Sequence, residues 1–131
     1  MKNLGLFLLR VAVGAVFIYH GWLKLSDIAL TTTFFDSVGI PIPVFFAWLV
    51  GLVEFVGGIA LVLGVWVHTF ALLLAVNMLV ALLVVHLGAP WSAAELPVVL
   101  FGAMVALMGV GAGDWRLVKK ECVCQMRGKK A

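Results

Sequence analysis

The sequence predicts an all-α integral membrane protein, a four-helix bundle whose helices cross the bilayer. Two observations predict this class. Hydrophobic residues make up 65% of the 131 residues and charged residues only 11%, whereas soluble domains are about half apolar and about a quarter charged. The chain also holds four apolar stretches near the ~20 residues that a helix needs to cross the hydrocarbon core. They cover residues 4–25, 44–65, 67–87 and 92–112.

Helix-breaking residues separate the four predicted spans. A long loop that contains Phe34 and Phe35 follows the first span. We expect part of this loop to form a short helix that lies in the outer interface of the bilayer. Pro41 and Pro43 precede the second span, because proline lacks an N–H and is tolerated in the first turn of a helix. The link between the second and third spans, near Val65 to Val67, is very short, which predicts a tight helical hairpin. The motif GAP separates the third span from the fourth.

The distribution of basic residues predicts the orientation. Lysine and arginine favour the cytoplasmic side, and they cluster after the last span, at Arg116, Lys119, Lys120, Arg127, Lys129 and Lys130. We therefore expect both termini in the cytoplasm, with a membrane domain over residues 1–114 and a basic tail over residues 115–131. Cys122 and Cys124 would be reduced thiols in that tail.

Charge and motifs exclude several classes of function. The net charge of +3 is interpreted as a topology signal with some affinity for anionic lipid, and no nucleic-acid partner is expected. The sequence contains no phosphate-binding loop, GxGxxG, HExxH or CxxC motif. We therefore expect no metal site and see no flavin or haem motif.

Polar residues share one face of the first span. At ~100° per residue, the residues within about 80° of Arg10 include Gly14, Phe17, His20, Gly21 and Lys24. Ionisable groups in lipid normally face the interior of a bundle, and glycines allow another helix to approach closely. This face is predicted to pack inward.

The second span repeats this arrangement of small and charged residues. Glu54 lies near its middle, and the small residues around it that are predicted to pack helices are Ala47, Gly51, Gly57 and Gly58. A charge at this depth costs several kcal/mol unless it is paired. We predict a buried pair between Arg10 and Glu54, acting as a clamp on helix register or in catalysis.

The fourth span carries Glu95 on a stripe of small residues that includes Gly102. If this stripe packs inward, Glu95 would meet His20 and Lys24 in one outer pocket, where titratable groups could exchange protons. Two other roles remain open. Lys24 could extend to the headgroups, and Glu95 could simply pair with it.

The third span contributes Asn77 and His86. Asn77 is predicted to form an interhelical hydrogen bond. His86 lies on the opposite face of an ideal helix and is a secondary ligand candidate. The residues predicted to contact a cofactor are His20, Trp22, His86 and Glu95.

Five motifs, in order, resemble the DoxX family of small four-helix bacterial membrane proteins. They are LLR at 8–10, YHGWLKL at 19–25, GIPIP at 39–43, VEFVGGIALVLG at 53–64 and AAELPVVL at 93–100. The resemblance implies a bundle in the bacterial inner membrane. The positions that match the family are Arg10, His20, Gly21, Lys24, Glu54, Gly57, Gly58 and Glu95.

The resemblance also implies a function, because the family is named for its likeness to a small subunit of a thiosulfate:quinone oxidoreductase. A lipid-soluble quinone would then bind near His20 and Glu95, which would relay protons, while Lys24 would stabilise a developing oxyanion. A partner protein would deliver the electrons. The alternative is a non-catalytic module that binds or transports a small amphiphile, or that assembles with another membrane protein or with copies of itself.

Overall fold

The computed structural model describes residues 1–117, and the regular structure in that range is entirely helical. The helices are α1 (Lys2–Ser26), α2 (Ile28–Ser37), α3 (Pro43–Leu63), α4 (Val67–Val80) and α5 (Trp91–Val110), and a π-helical turn over Ala81–Val85 continues α4. Within residues 1–117, four helices are long and apolar enough to cross a membrane: α1, α3, α4 with its π turn, and α5. The predicted all-α class is confirmed, and the chain is a multi-pass membrane protein. Cys122 and Cys124 lie outside the described residues.

The helix boundaries follow the local chemistry of the chain. The carboxylate of Asp27 accepts a hydrogen bond from the backbone N–H of Leu30, 2.9 Å away, and so caps the start of α2. Pro43 occupies the first turn of α3, where its missing N–H costs nothing. Gly64 ends α3 with a φ of 73°, a conformation that glycine adopts without strain. Both boundaries of each predicted span lie within two residues of the corresponding helix boundaries in the structure.

Glycines set the close packing of α1 against α3. A Cβ atom on Gly14 would lie 2.7 Å from the carbonyl oxygen of Gly58, and one on Gly21 would lie 2.9 Å from the carbonyl oxygen of Gly51. The two glycines of each pair, Gly14 and Gly21 on α1 and Gly51 and Gly58 on α3, lie seven positions apart. One antiparallel register therefore satisfies both contacts. Gly57 faces α4, where its Cβ would lie 3.1 Å from a methyl carbon of Leu74. At Gly14 and Gly21 only hydrogen fits, because a Cβ would collide with the backbone of α3.

The packed core fills one half of the bundle. The amide of Asn3 donates to Asp114 across 2.5 Å, which joins the start of α1 to the segment after α5; we call this end of the bundle the terminal end. The apolar core lies in this half and includes Val13, Leu61 and Leu107. The opposite end, which carries α2, is called the α2 end.

Helix α5 packs through large side chains. Leu100, Met104 and Leu107 are its buried residues, whereas a Cβ on Gly102 would meet no atom within 4 Å. At ~100° per residue, Glu95 and Gly102 lie about 140° and 160° from Leu100. The structure therefore does not place Gly102 of the stripe at a helix contact within residues 1–117.

Candidate functional site

Arg10 is buried at the terminal end and is bound by backbone carbonyls. Its side chain is 1% exposed. The guanidinium donates to the carbonyls of Leu61 at 3.0 Å, Val62 at 3.3 Å, and Ala112. The carbonyls in the last turn of a helix lack helical donors and carry the negative end of its dipole. Arg10 thus closes the end of α3 and ties it to the segment after α5.

The predicted Arg10 to Glu54 pair does not form. The glycine contacts fix the register, which places Arg10 level with the C-terminal turn of α3. Glu54 lies about two helical turns before Leu61, nearer the N-terminus of α3, which is a distance of ~11 Å along the helix axis. Arginine meets carbonyl acceptors at its own depth, and Glu54 finds other partners.

Glu54 joins three helices through its two carboxylate oxygens. The ammonium of Lys24, on α1, lies 2.6 Å from Oε2. The amide of Asn77, on α4, donates to Oε1 across 2.8 Å. Glu54 is only 2% exposed, so both oxygens must be satisfied inside the protein. The three residues, which we call the Glu54 cluster, form a charged network within the membrane-spanning helices.

The Lys24 side chain extends into the bundle. In an α-helix the Cα–Cβ bond tilts towards the N-terminus, which for Lys24 is the direction of the terminal end. A side chain of four methylenes that follows this tilt reaches Glu54. The alternative expectation, in which Lys24 extends to the headgroups, does not agree with its 2.6 Å bond to Glu54.

The Glu54 cluster lies on the wall of a large apolar cavity. The cavity has a volume of about 630 Å³ and is lined by residues from all five described helices and from the π turn. Its apolar wall includes Phe17, Phe35 and Leu100. The polar residues on its wall are His20, Lys24, Glu54, Asn77 and His86. A few polar groups in an apolar cavity of this size are typical of a small-molecule site.

The two cavity histidines present the same ring nitrogen. Nδ1 of His20 lies 2.9 Å from the carbonyl oxygen of Val16, and Nδ1 of His86 lies 2.9 Å from that of Ala81. A carbonyl only accepts, so in each neutral imidazole Nδ1 carries the proton and Nε2 is an acceptor. Within residues 1–117, neither Nε2 has a hydrogen-bond partner.

The π turn brings His86 to the cavity. His86 lies nine positions after Asn77, which on an ideal helix puts the two residues on opposite faces, ~180° apart. A π turn inserts about one extra residue and so rotates the chain beyond it by ~100°. Asn77 and His86 therefore both line the cavity. No simple periodicity in the sequence signals this rotation.

Two predicted site residues lie elsewhere. Glu95 is exposed and is not part of the cavity wall, although Leu96 and Pro97 are. The face of α5 that carries Glu95 is turned away from α4, so the predicted pocket of His20, Lys24 and Glu95 does not form. Trp22 is 58% exposed and packs on the outside of the α1–α3 pair, with its ring centroid 6.1 Å from that of Phe55.

The comparisons with known proteins agree with these helices and motifs. The sequence profile of the DoxX family matches residues 5–87, which include most of α1 and all of α2, α3, α4 and the π turn. The chain belongs to the DoxX family. This DoxX protein is also 33% identical over 89 residues to a Bacillus subtilis (strain 168) protein named "Putative oxidoreductase CatD". The match covers 68% of this chain and 65% of the relative, just under two thirds of the relative's length. No solved structure is significantly similar to this DoxX protein.

A signal for the Glu54 cluster is present in the DoxX sequence. Successive membrane spans run antiparallel, and the equal spacing of Gly14 and Gly21 on one helix and of Gly51 and Gly58 on the other then indicates their register. That register places Glu54 within reach of the inward-tilted Lys24. Matching these glycines before matching opposite charges would have found the pair.

Proposed function

We propose that this DoxX protein is the membrane component of a quinone-linked oxidoreductase and that its cavity binds the quinone ring. The observation that carries the proposal is an apolar cavity of about 630 Å³ that is lined by the Glu54 cluster and by two imidazoles. A quinone head group needs apolar walls for its ring and polar groups for its oxygens. The name of the Bacillus subtilis relative supports an oxidoreductase role.

The residues on the wall suit the chemistry of quinones. A quinone takes up two electrons together with two protons to become a hydroquinone. The Nε2 atoms of His20 and His86, which both line the cavity, would exchange protons with the ring oxygens. Lys24 would stabilise negative charge on an oxygen, and Glu54 with Asn77 would hold the Lys24 ammonium in position. A partner protein would exchange the electrons.

The proposal includes an orientation in the bacterial inner membrane. Both ends of the described chain meet at the terminal end, where Asn3 contacts Asp114. We propose that this end faces the cytoplasm, where the basic tail would remain. The cavity then lies towards the outer leaflet, and α2 lies at the outer interface over it.

The test compares two Glu→Gln variants purified in native lipid nanodiscs. Mass spectrometry of the extracted lipid measures the bound quinone per protein. Wild type and the matched control Glu95→Gln, whose side chain is exposed outside the cavity, should retain it. Glu54→Gln should lose most of it. If no preparation carries quinone and a defined membrane protein copurifies instead, the cavity proposal is wrong and an assembly role replaces it.

A further inference from the structure

The hydrogen-bonding groups on the cavity wall distinguish between the two redox forms of the proposed ligand. We propose that the cavity binds the hydroquinone form in preference to the quinone. This inference rests on the proposed function, because it concerns the same cavity. It follows from which donors and acceptors remain free once the protein's own hydrogen bonds are formed.

Acceptors outnumber donors among the free groups on the cavity wall. The Nε2 atoms of His20 and His86 accept in the neutral tautomer and have no partner within residues 1–117. One N–H of the Asn77 amide donates to Glu54, which leaves the carbonyl oxygen of Asn77 as a third acceptor and its second N–H as a donor. Both oxygens of Glu54 already accept hydrogen bonds.

Helix α5 adds a backbone acceptor to the same wall. Pro97 lies inside α5 and has no N–H, so the carbonyl of Ala93 lacks the donor that a helix normally supplies four residues on. Both residues line the cavity. The principal donor on the wall is the Lys24 ammonium, which uses one of its three N–H groups on Glu54.

The two redox forms meet this wall differently. A quinone oxygen only accepts, so it could pair with Lys24 but would face the imidazole nitrogens with lone pair against lone pair. A hydroquinone O–H donates to an Nε2 atom while its oxygen can still accept from Lys24. Because an unpaired polar group in an apolar cavity is costly, the wall favours a ligand with two O–H groups.

Titration of the full chain in lipid nanodiscs tests the preference. The probes are decylubiquinol and decylubiquinone, which share a ring and a tail, and empty nanodiscs correct for partition into lipid. Calorimetry is run without oxygen at about pH 8, where free histidine is neutral. We expect wild type to bind the quinol about tenfold more tightly, the effect of roughly one net hydrogen bond to a ring nitrogen.

Histidine variants assign the preference to the two imidazoles. His20→Phe and His86→Phe should each weaken quinol binding about threefold, so that together they account for the tenfold preference, and each should change quinone binding little. His20→Gln, whose amide oxygen can accept, should keep part of the preference. The matched control is His68→Phe, since Nδ1 of His68 also bonds a carbonyl, that of Met108 at 3.2 Å, but His68 lies outside the cavity wall.

The outcomes separate this inference from the proposed function. Equal affinities in wild type, or tighter binding of the quinone, would overturn the preference while the quinone site stands. A preference that survives both phenylalanine variants would overturn its assignment to the imidazoles. If neither probe binds above empty nanodiscs, the proposed function fails, and the inference fails with it.

Discussion

Glu54→Gln should destabilise the bundle, because it removes the carboxylate that joins α1 and α4 to α3. The glutamine oxygen can still accept one hydrogen bond from Lys24, and Asn77 can turn its amide to pair with the new NH₂ group. What is lost is the negative charge opposite the Lys24 ammonium, 2.6 Å away. An ammonium without a counter-charge among membrane helices is unfavourable.

The magnitude follows from the distance and the burial. At 2.6 Å, two unit charges attract by about 6 kcal/mol with an effective dielectric constant of ~20. Desolvation of the ions offsets much of this attraction, and removing one partner of a fully buried pair costs ~3–5 kcal/mol. The Lys24 side chain keeps 25% of its exposure, so partial solvation reduces the cost. We expect a loss of about 2 kcal/mol in the free energy of unfolding.

Unfolding in mixed micelles of increasing SDS fraction measures this loss. The matched control is Glu95→Gln, which should change the unfolding free energy by less than about 0.5 kcal/mol because Glu95 is exposed. Lys24→Met completes a double-mutant cycle with Glu54→Gln, and the coupling between the two should be at least ~1 kcal/mol. A Glu54→Gln variant as stable as Glu95→Gln, or a coupling near zero, would refute the ion pair.

Three further changes should have distinct effects on the unfolding free energy in the same assay. Arg10→Lys keeps the charge, but a compact ammonium cannot reach all three carbonyls, so a loss of about 2–3 kcal/mol is expected; a loss below ~0.5 kcal/mol would count against the carbonyl cap. Gly21→Ala should cost ~1–3 kcal/mol, because its Cβ would lie 2.5 Å from the backbone nitrogen of Phe55; its control, Gly102→Ala, enters open space and should be neutral or stabilising. Asn77→Ala should cost about 1 kcal/mol, and an unchanged stability would show that its bond to Glu54 contributes little.

Composition and helix-breaking residues are enough to predict the four spans. The bilayer imposes a length and an apolar character on each helix, and proline and glycine mark the ends, so little depends on tertiary contacts. The inward faces of α1 and α3 were also predictable, because glycines that admit a neighbouring backbone have few other uses in lipid. These features depend on one helix at a time or on one pair of helices.

The partners of the charged residues were harder to predict because they depend on register and depth. The predicted pair of Arg10 and Glu54 depended on the assumption that a buried cation needs a carboxylate. In the structure the guanidinium of Arg10 instead donates to backbone carbonyls at the end of α3. The error over Glu95 arose from choosing the small-residue face of α5, although van der Waals contact favoured its Leu and Met face.

The two inward-facing charges of α1 divide the bundle into halves with different physical roles. Arg10 is buried at the terminal end, where it donates to three carbonyls beside the apolar core, so it stabilises that end and is not accessible to a ligand. Lys24 forms its bond to Glu54 beside the cavity and keeps two N–H groups. Because Arg10 fixes the terminal end and Lys24 lies at the cavity, binding of the proposed ligand at the α2 end would leave the core unchanged. Variants at Arg10 should therefore lower stability far more than ligand affinity, whereas variants at His20 and His86 should do the reverse.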